Sequence, residues 1–432
     1  MTIPRQTIGR WGRLLSTFFA GQGASQILQF ITGFALINWL TKDAYATFTL
    51  VMAIQGTTQA LVELGITQSL TGLIGKKVSD PRAVGRYIAA CRYYRDRLLW
   101  AGALALPFVF WQIAPNYGWT GGVWLWLWAS VVIALVFQAW GAMYNPIFLL
   151  NQDLKPMYGI QLSAAVMRLG LIGGAHLAGV LTAPLALFYG ALQSMAGGWA
   201  TRSRTRSAVR EPARGEDIRP EKRELLRQSL PRVPSSVFHA FEGQITIYLI
   251  SIFGNTSDTA ELGALGRLAM LFVIFKRGCN VLVGPYFAKL DTARVPGRIA
   301  LFLLGGAVFT VAVSGFGYLF PEVLLFVLGD GYQHLRYEVF LILLTGSIQL
   351  VNMMLFAICV ARKYIFPWYS IVEIVPLVAV MVLGFAFLDL SELVQVLYFG
   401  IALAVSKTGS RMVDLTVGLR RDFRKPGASS GA

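Results

Sequence analysis

The chain has 432 residues, 55% of them hydrophobic and only 14% charged, with a mean hydropathy of +0.58. Its repeated apolar runs are too long for the helices of a soluble core, which excludes an ordinary globular domain and marks an all-α integral membrane protein. A net charge of +16 would suit a nucleic-acid partner, but in a chain of this composition the excess belongs first to loops on one side of a membrane, and no nucleic acid is expected. Cys91, Cys279 and Cys359 are far apart and show neither metal-ligand nor disulfide spacing. The three histidines stand in no ligand motif, and no phosphate-loop, nucleophile-elbow or zinc-protease pattern occurs. Neither an enzyme nor a bound cofactor is expected.

Hydropathy windows place spans at 14–40, 45–73, 98–113, 122–150, 156–179 and 182–200, then at 233–253, 262–287, 298–320, 339–360, 365–387 and 392–413. That makes about 12 transmembrane helices. The first apolar run is itself of spanning length, so no cleavable leader is expected. Lys and Arg fall on alternate loops: seven after the second span, ten after the sixth and six from Lys407 onward, against only Lys42 and Arg336 on the opposite loops. Because basic loops stay inside, both termini are expected in the cytoplasm. Trp119, Trp124, Trp126 and Trp128 cluster at the outer end of the fourth span, where aromatic belts form.

Residues 201–232 carry ten basic and five acidic side chains with little apolar periodicity. They read as a solvated cytoplasmic linker, with anionic lipid headgroups as an alternative resting place. The expected domains are therefore 1–200, a first six-helix bundle, the linker at 201–232, and 233–432, a second bundle with a cytoplasmic tail. Self-comparison supports duplication. A shift of 211 matches Gln138 with Gln349, Met143 with Met354, Ile147 with Ile358, Pro156 with Pro367, Tyr158 with Tyr369 and Ile160 with Ile371. A shift of 217 superposes the first two spans on the seventh and eighth. Six intervening spans give both copies the same orientation, so two parallel six-helix bundles are expected around a central cavity.

Polar side chains recur at helical spacing inside the spans: Gln22, Gln26 and Gln29 on the first, Gln55, Gln59 and Glu63 on the second, and Ser235, His239, Glu242 and Thr246 on the seventh. Under the 217 shift Gln22 meets His239, Gln59 meets Lys276 and Glu63 meets Asn280. These stripes suit either cavity lining or interhelical hydrogen bonds, the latter worth on the order of 1 kcal/mol each. Lys276 and Arg277 lie mid-span, where a cation needs a cavity or a partner. Neighbouring residues point about 100° apart on a helix, and Lys276 shares a stripe with Asn280, so Lys276 is the better candidate to face a cavity. Arg168 suits either ligand contact or a structural pair with Glu373 or Glu63, and Arg267 is expected to snorkel to the outer interface. Glu63, Glu242 and Glu373 are open to two roles, salt-bridge partner or protonatable coupling site.

The opening two spans, FFAGQGASQILQFITGFALINWLTKDAYATFTLVMAIQGTTQALVELGITQSL, carry a Gln-Gly in the first span and a short outer turn followed by an aromatic residue, and the second span ends in Leu-Gly-Ile. With YLISIFGNTSDTAELGALGRLAMLF and GDGYQHLRYEVFLILLTGSIQLVNMMLFAICVARKY, this pattern resembles bacterial polysaccharide flippases of the multidrug/oligosaccharidyl-lipid/polysaccharide exporter superfamily. One departure is Tyr45-Ala46 where that family has Tyr-Gly. The resemblance implies a multi-pass protein of the bacterial cytoplasmic membrane that moves a polyprenyl-diphosphate-linked oligosaccharide outward by alternating access. H⁺ or Na⁺ coupling is compatible with it, and membrane lipids and other polysaccharide-assembly proteins are the implied partners. In that setting Lys276, with Arg277 and Arg168, would meet the diphosphate, while Gln22, Gln26, Gln55, Gln59, Asn280 and His239 would meet sugar hydroxyls. A cation antiporter of the same superfamily is the nearest alternative, disfavoured by the central Lys and Arg. A glycan polymerase or ligase would want a larger outer loop than the one near 321–336, and a noncatalytic scaffold of the assembly machinery is the remaining option.

Overall fold

A computed structural model describes residues 5–423 apart from 76, 78, 79, 152, 214, 215, 231, 232, 289, 363 and 365–367, with the side chains of 5–15 and a few others, including Arg277 and Asn280, also outside the description. Every expected span is occupied by helix. The first unit holds α1 (Arg5–Trp39), α2 (Lys42–Glu63), α3 (Ile66–Ile74), α4 (Pro81–Ile113), α5 (Val123–Leu150), α6 (Leu154–Leu177), α7 (Ala183–Thr205), α8 (Arg219–Ser229) and α9 (Val233–Glu242). The second holds α10 (Ile245–Phe253), α11 (Thr256–Ala269), α12 (Leu271–Ala288), α13 (Val295–Leu319), α14 (Pro321–Leu328), α15 (Arg336–Ala361), α16 (Tyr369–Phe387) and α17 (Leu393–Phe423). Among the described residues six single helices are long and apolar enough to cross a membrane, within α4, α5, α6, α13, α15 and α17, and α9 with α10 makes a seventh if taken as one broken span. Of the other spans, α16 is apolar but short, while α2 carries Gln55 and Gln59 and α12 carries Lys276 and Arg277. The protein is an all-helical, multi-pass membrane protein.

The contact pattern divides the chain at Ile245 and Thr246, inside the expected seventh span, whereas the sequence set the divide in the 201–232 linker. The reason is that α8 and α9 both pack on the first unit. In that unit α5 lies along α7, α1 along α6, and α9 against α2, where Thr57 donates to the Ala240 carbonyl at 3.1 Å. In the second unit α15 is the central helix, packed against α12, α13 and α17. The duplicated apolar positions are core positions in both copies: Met143 and Ile147 belong to the core of the first unit, while Ile358 with neighbouring Met354 belongs to that of the second.

Three spans that hydropathy reads as continuous are broken. The second breaks between α2 and α3, where Leu64 (φ 36°) and Gly65 (φ 72°) are left-handed. Glycine adopts this conformation freely, but for Leu64 it costs about 1–2 kcal/mol, so surrounding contacts must fix it. The seventh breaks between α9 and α10 and the eighth between α11 and α12. Arg267, expected to snorkel outward, sits in the last turn of α11 beside that break and faces the Met270 sulfur at 3.8 Å. The loop near 321–336 is shortened further by α14.

The linker is where the structure departs most from the expected solvated loop. Within it α8 folds onto α3 and α4, burying Leu225 in the same core as Leu70, Ile74, Tyr87 and Ile88. Arg86 pairs with Glu221 at 3.0 Å, Tyr87 donates to Glu224, and Lys77 donates to the Tyr87 hydroxyl at 2.9 Å. Lys222 lies 3.4 Å over the Tyr93 ring. Upstream, the Arg210 amide donates to the Pro81 carbonyl at 2.9 Å, and Gly85 makes that approach possible, because a Cβ there would fall 1.8 Å from the Arg210 carbonyl oxygen. Charge dominates the composition of this segment and hides its apolar anchors, Val209 and Leu225. Leu225→Ala is expected to cost about 2–5 kcal/mol of local stability. Amide exchange should then accelerate across Arg219–Ser229 while α5 and α7 stay protected.

Candidate functional site

The charges carried by the spans fall into two kinds, neutralised and not. Arg95 in α4 has no exposed surface; it donates to the Ala139 carbonyl at 2.7 Å and pairs with Glu63 at 3.2 Å. Glu63 ends α2, so this ion pair anchors the chain immediately before the left-handed break at Leu64. Sequence analysis left Arg95 in a loop. The missed signal is its spacing, for Ile88, Cys91, Arg95 and Leu98 share one face of α4, and the two apolar residues before it are buried. In the second unit Arg411 of α17 pairs with Glu373 of α16 at 2.5 Å and with Asp414 at 3.7 Å. All three are buried, Asp414 to 1% exposure. Arg411 and Lys407 were counted with the C-terminal tail, whereas both lie inside α17.

Glu63 and Glu373 thus each lie against an arginine, Arg95 and Arg411 respectively. Arg168 itself donates to Gln193 of α7 at 3.3 Å. Glu242, the remaining acidic candidate, lies 3.6 Å from His239 Nδ1 one turn earlier on α9. The expected polar positions of the first unit are gathered on α1, α2 and α9: Gln22, Gln26 and Gln55 are buried and Gln59 half-buried. At the second repeat position, Gln138 of α5 donates to Ser194 of α7 at 3.2 Å.

Lys276 is of the other kind. It lies in the second turn of α12, half-buried, and its ammonium donates to Gln349 Oε1 of α15 at 2.7 Å. No carboxylate lies within salt-bridge distance of it among the described residues, and Lys407 of α17 acts on it as a second positive charge. The duplicated glutamine thus orients an ammonium that has no carboxylate partner among the described residues. The side chains of Arg277 and Asn280, the other two candidates on α12, lie outside the described residues.

At one end of the second unit, Arg362 reaches the Leu290 carbonyl and Asp422, each at 3.0 Å, and Tyr364 donates to Asp422 at 2.5 Å. Burial and then the Asp422 hydrogen bond push the Tyr364 hydroxyl up to about 12, so it remains a donor at physiological pH.

Solved structures similar in fold to this chain include proteins described as transporters. A multidrug resistance MATE family transporter of the MOP superfamily, in an inward-facing conformation, is 13% identical over 94% of this chain and 96% of its own, with a TM-score of 0.61. The eukaryotic MATE transporter AtDTX14 is 12% identical over 95% and 98%, with a TM-score of 0.60. A MOP superfamily transporter from Pyrococcus furiosus, described as having a binding pocket of reverse polarity that suggests a different function, is 13% identical over 95% of both chains, also at 0.60. At these identities the likeness is one of fold alone. Residues 15–291 match the profile of the family described as polysaccharide biosynthesis protein, and the chain belongs to that family. No curated protein matches it.

Removing Arg411 strands two buried carboxylates, and breaking a buried pair in this way costs about 3–5 kcal/mol. Arg411→Ala is therefore expected to lower the unfolding temperature of the purified protein sharply, and adding Glu373→Gln should recover part of the loss. Additive losses in a double-mutant cycle would show that the two side chains act independently.

Proposed function

We propose that the protein translocates a polyprenyl-diphosphate-linked oligosaccharide from the inner to the outer leaflet of the bacterial cytoplasmic membrane by alternating access, with both termini cytoplasmic. The observation that carries this reading is Lys276, an ammonium in an apolar helix oriented by a neutral glutamine and lacking a carboxylate partner among the described residues. Arg95 and Arg411 have their counter-ions in the protein and serve the fold. A cation held without one is suited to an anion that arrives and leaves. Membership of the polysaccharide biosynthesis family makes a lipid-borne diphosphate the fitting anion. It also disfavours organic cations, which Lys276 and Lys407 would repel.

The chemistry of the cargo explains why a protein is needed. A sugar hydroxyl stripped of water without replacement costs roughly 4–8 kcal/mol on an alkane scale. Buried amides such as Gln22, Gln26 and Gln55 supply replacement hydrogen bonds. An inside-negative potential of about 100 mV favours outward movement of each negative charge by about 2.3 kcal/mol, so ion coupling is compatible with transport but not demanded by it. If a proton is coupled, Glu242 is its proposed carrier, with the His239 imidazole 3.6 Å away one turn earlier on the same helix. Transport by Glu242→Gln at the wild-type rate across an imposed pH gradient would remove Glu242 from that role.

Deletion of the gene should abolish surface glycan and trap lipid-linked intermediates on the inner leaflet. Wild type and Lys276→Arg should restore export, and a normally inserted Lys276→Ala should not. Intact glycan in the deletion would contradict the reading.

A further inference from the structure

Where α5 and α7 end, the first unit encloses a cavity of about 650 Å³ that the reading above does not use. Trp140 and Tyr144 of α5, Trp199 and Arg202 of α7, and Arg206 and Arg210 of the following segment line it, together with Glu211. Its charges are not balanced. Arg202 is committed to the protein, pairing with Glu211 at 3.2 Å and lying 4.8 Å over the Trp140 ring. The guanidinium groups of Arg206 and Arg210 are exposed, and neither has a carboxylate within salt-bridge distance among the described residues. Neither is left to a wandering loop. Arg206 opens a 3₁₀ turn directly after α7, and the Arg210 backbone is clamped to Pro81 through the close approach over Gly85.

The third element is Trp199, 65% exposed one turn before Arg202 and directly after the uncharged stretch Met195, Ala196, Gly197 and Gly198. An indole exposed near the end of a span is at home at headgroup depth. A preorganised pair of guanidiniums beside an exposed indole favours a phosphate group attached to a lipid over a phosphate free in water.

We propose that this cavity binds the phosphate headgroup of a membrane lipid, with Arg206 and Arg210 on the phosphate and Trp199 against the lipid-attached part. The site is built within the first unit alone, and Lys276 belongs to the second. It does not depend on the flippase reading, since an anionic phospholipid and a phosphorylated carrier lipid present the same chemistry.

The test uses the full-length purified protein in phosphatidylcholine nanodiscs doped with phosphatidic acid, phosphatidylglycerol or polyprenyl diphosphate, reading retained lipid by native mass spectrometry. Arg206→Ala/Arg210→Ala should lower retention of the phosphate-monoester and diphosphate lipids by at least about ten-fold, the loss expected for charge-assisted contacts. Arg204→Ala, an exposed arginine on the same stretch outside the cavity lining, should retain lipid as wild type does. Trp199→Ala should weaken lipid retention and leave protection by inorganic pyrophosphate unchanged. Equal retention by the double variant and wild type, with both eluting as folded protein, would overturn the site. Displacement of lipid by an equal concentration of pyrophosphate would overturn its assignment to a lipid.

Discussion

The cost of holding a charge away from water governs how each unit of this protein is pinned together. A guanidinium with no exposed surface is tolerable only where a carboxylate and carbonyls meet it, and Arg95 meets Glu63 and the Ala139 carbonyl. That one pairing ties α4 to the end of α2 and to α5, and it fixes the chain at the residue where α2 stops. The left-handed Leu64 next to it persists because its neighbour is held. In the second unit Arg411 joins α16 to α17 in the same way, through Glu373. Against this background the ammonium of Lys276 donates to an amide and has no carboxylate within salt-bridge distance among the described residues, and the proposed function rests on that difference.

Much of the fold was legible in the chain because hydropathy at bilayer length is a strong signal. Each of the twelve expected spans holds helix among its described residues, and the duplicated Met143/Ile147 and Met354/Ile358 positions fall in or against the two cores. Helix breaks were less legible. Leu64-Gly65 interrupts a run that remains apolar on both sides, so a window average passes over it. The docking of α8 was hidden for the opposite reason, since a segment dominated by charge was taken to be solvated, while Leu225, Glu221 and Glu224 each have a specific partner on α3 or α4.

The candidate site was legible in kind more than in partnership. Helical spacing identified Lys276 and the glutamine stripes, and the repeat singled out Gln349, but nothing in the chain linked Lys276 to Gln349 across 73 residues. Arg95 and Arg411 were misassigned because Lys and Arg near span ends are ordinarily topological signals. Periodicity against the buried face outweighs proximity to a loop in such cases. A shared fold does not fix a cargo, so the reading of function rests on the side chains of this chain and not on its topology.

The central claim is that this chain alone carries a diphosphate-linked oligosaccharide across a bilayer. Its most direct test is reconstitution of the purified protein into liposomes holding a fluorescent polyprenyl-diphosphate oligosaccharide, with a membrane-impermeant glycosidase reading the exposed leaflet. The account predicts that nearly all of the labelled lipid becomes accessible over time when the protein is present, and that only the initially exposed share is cleaved in protein-free liposomes. Identical cleavage in the two preparations, with the protein folded and inserted, would contradict it.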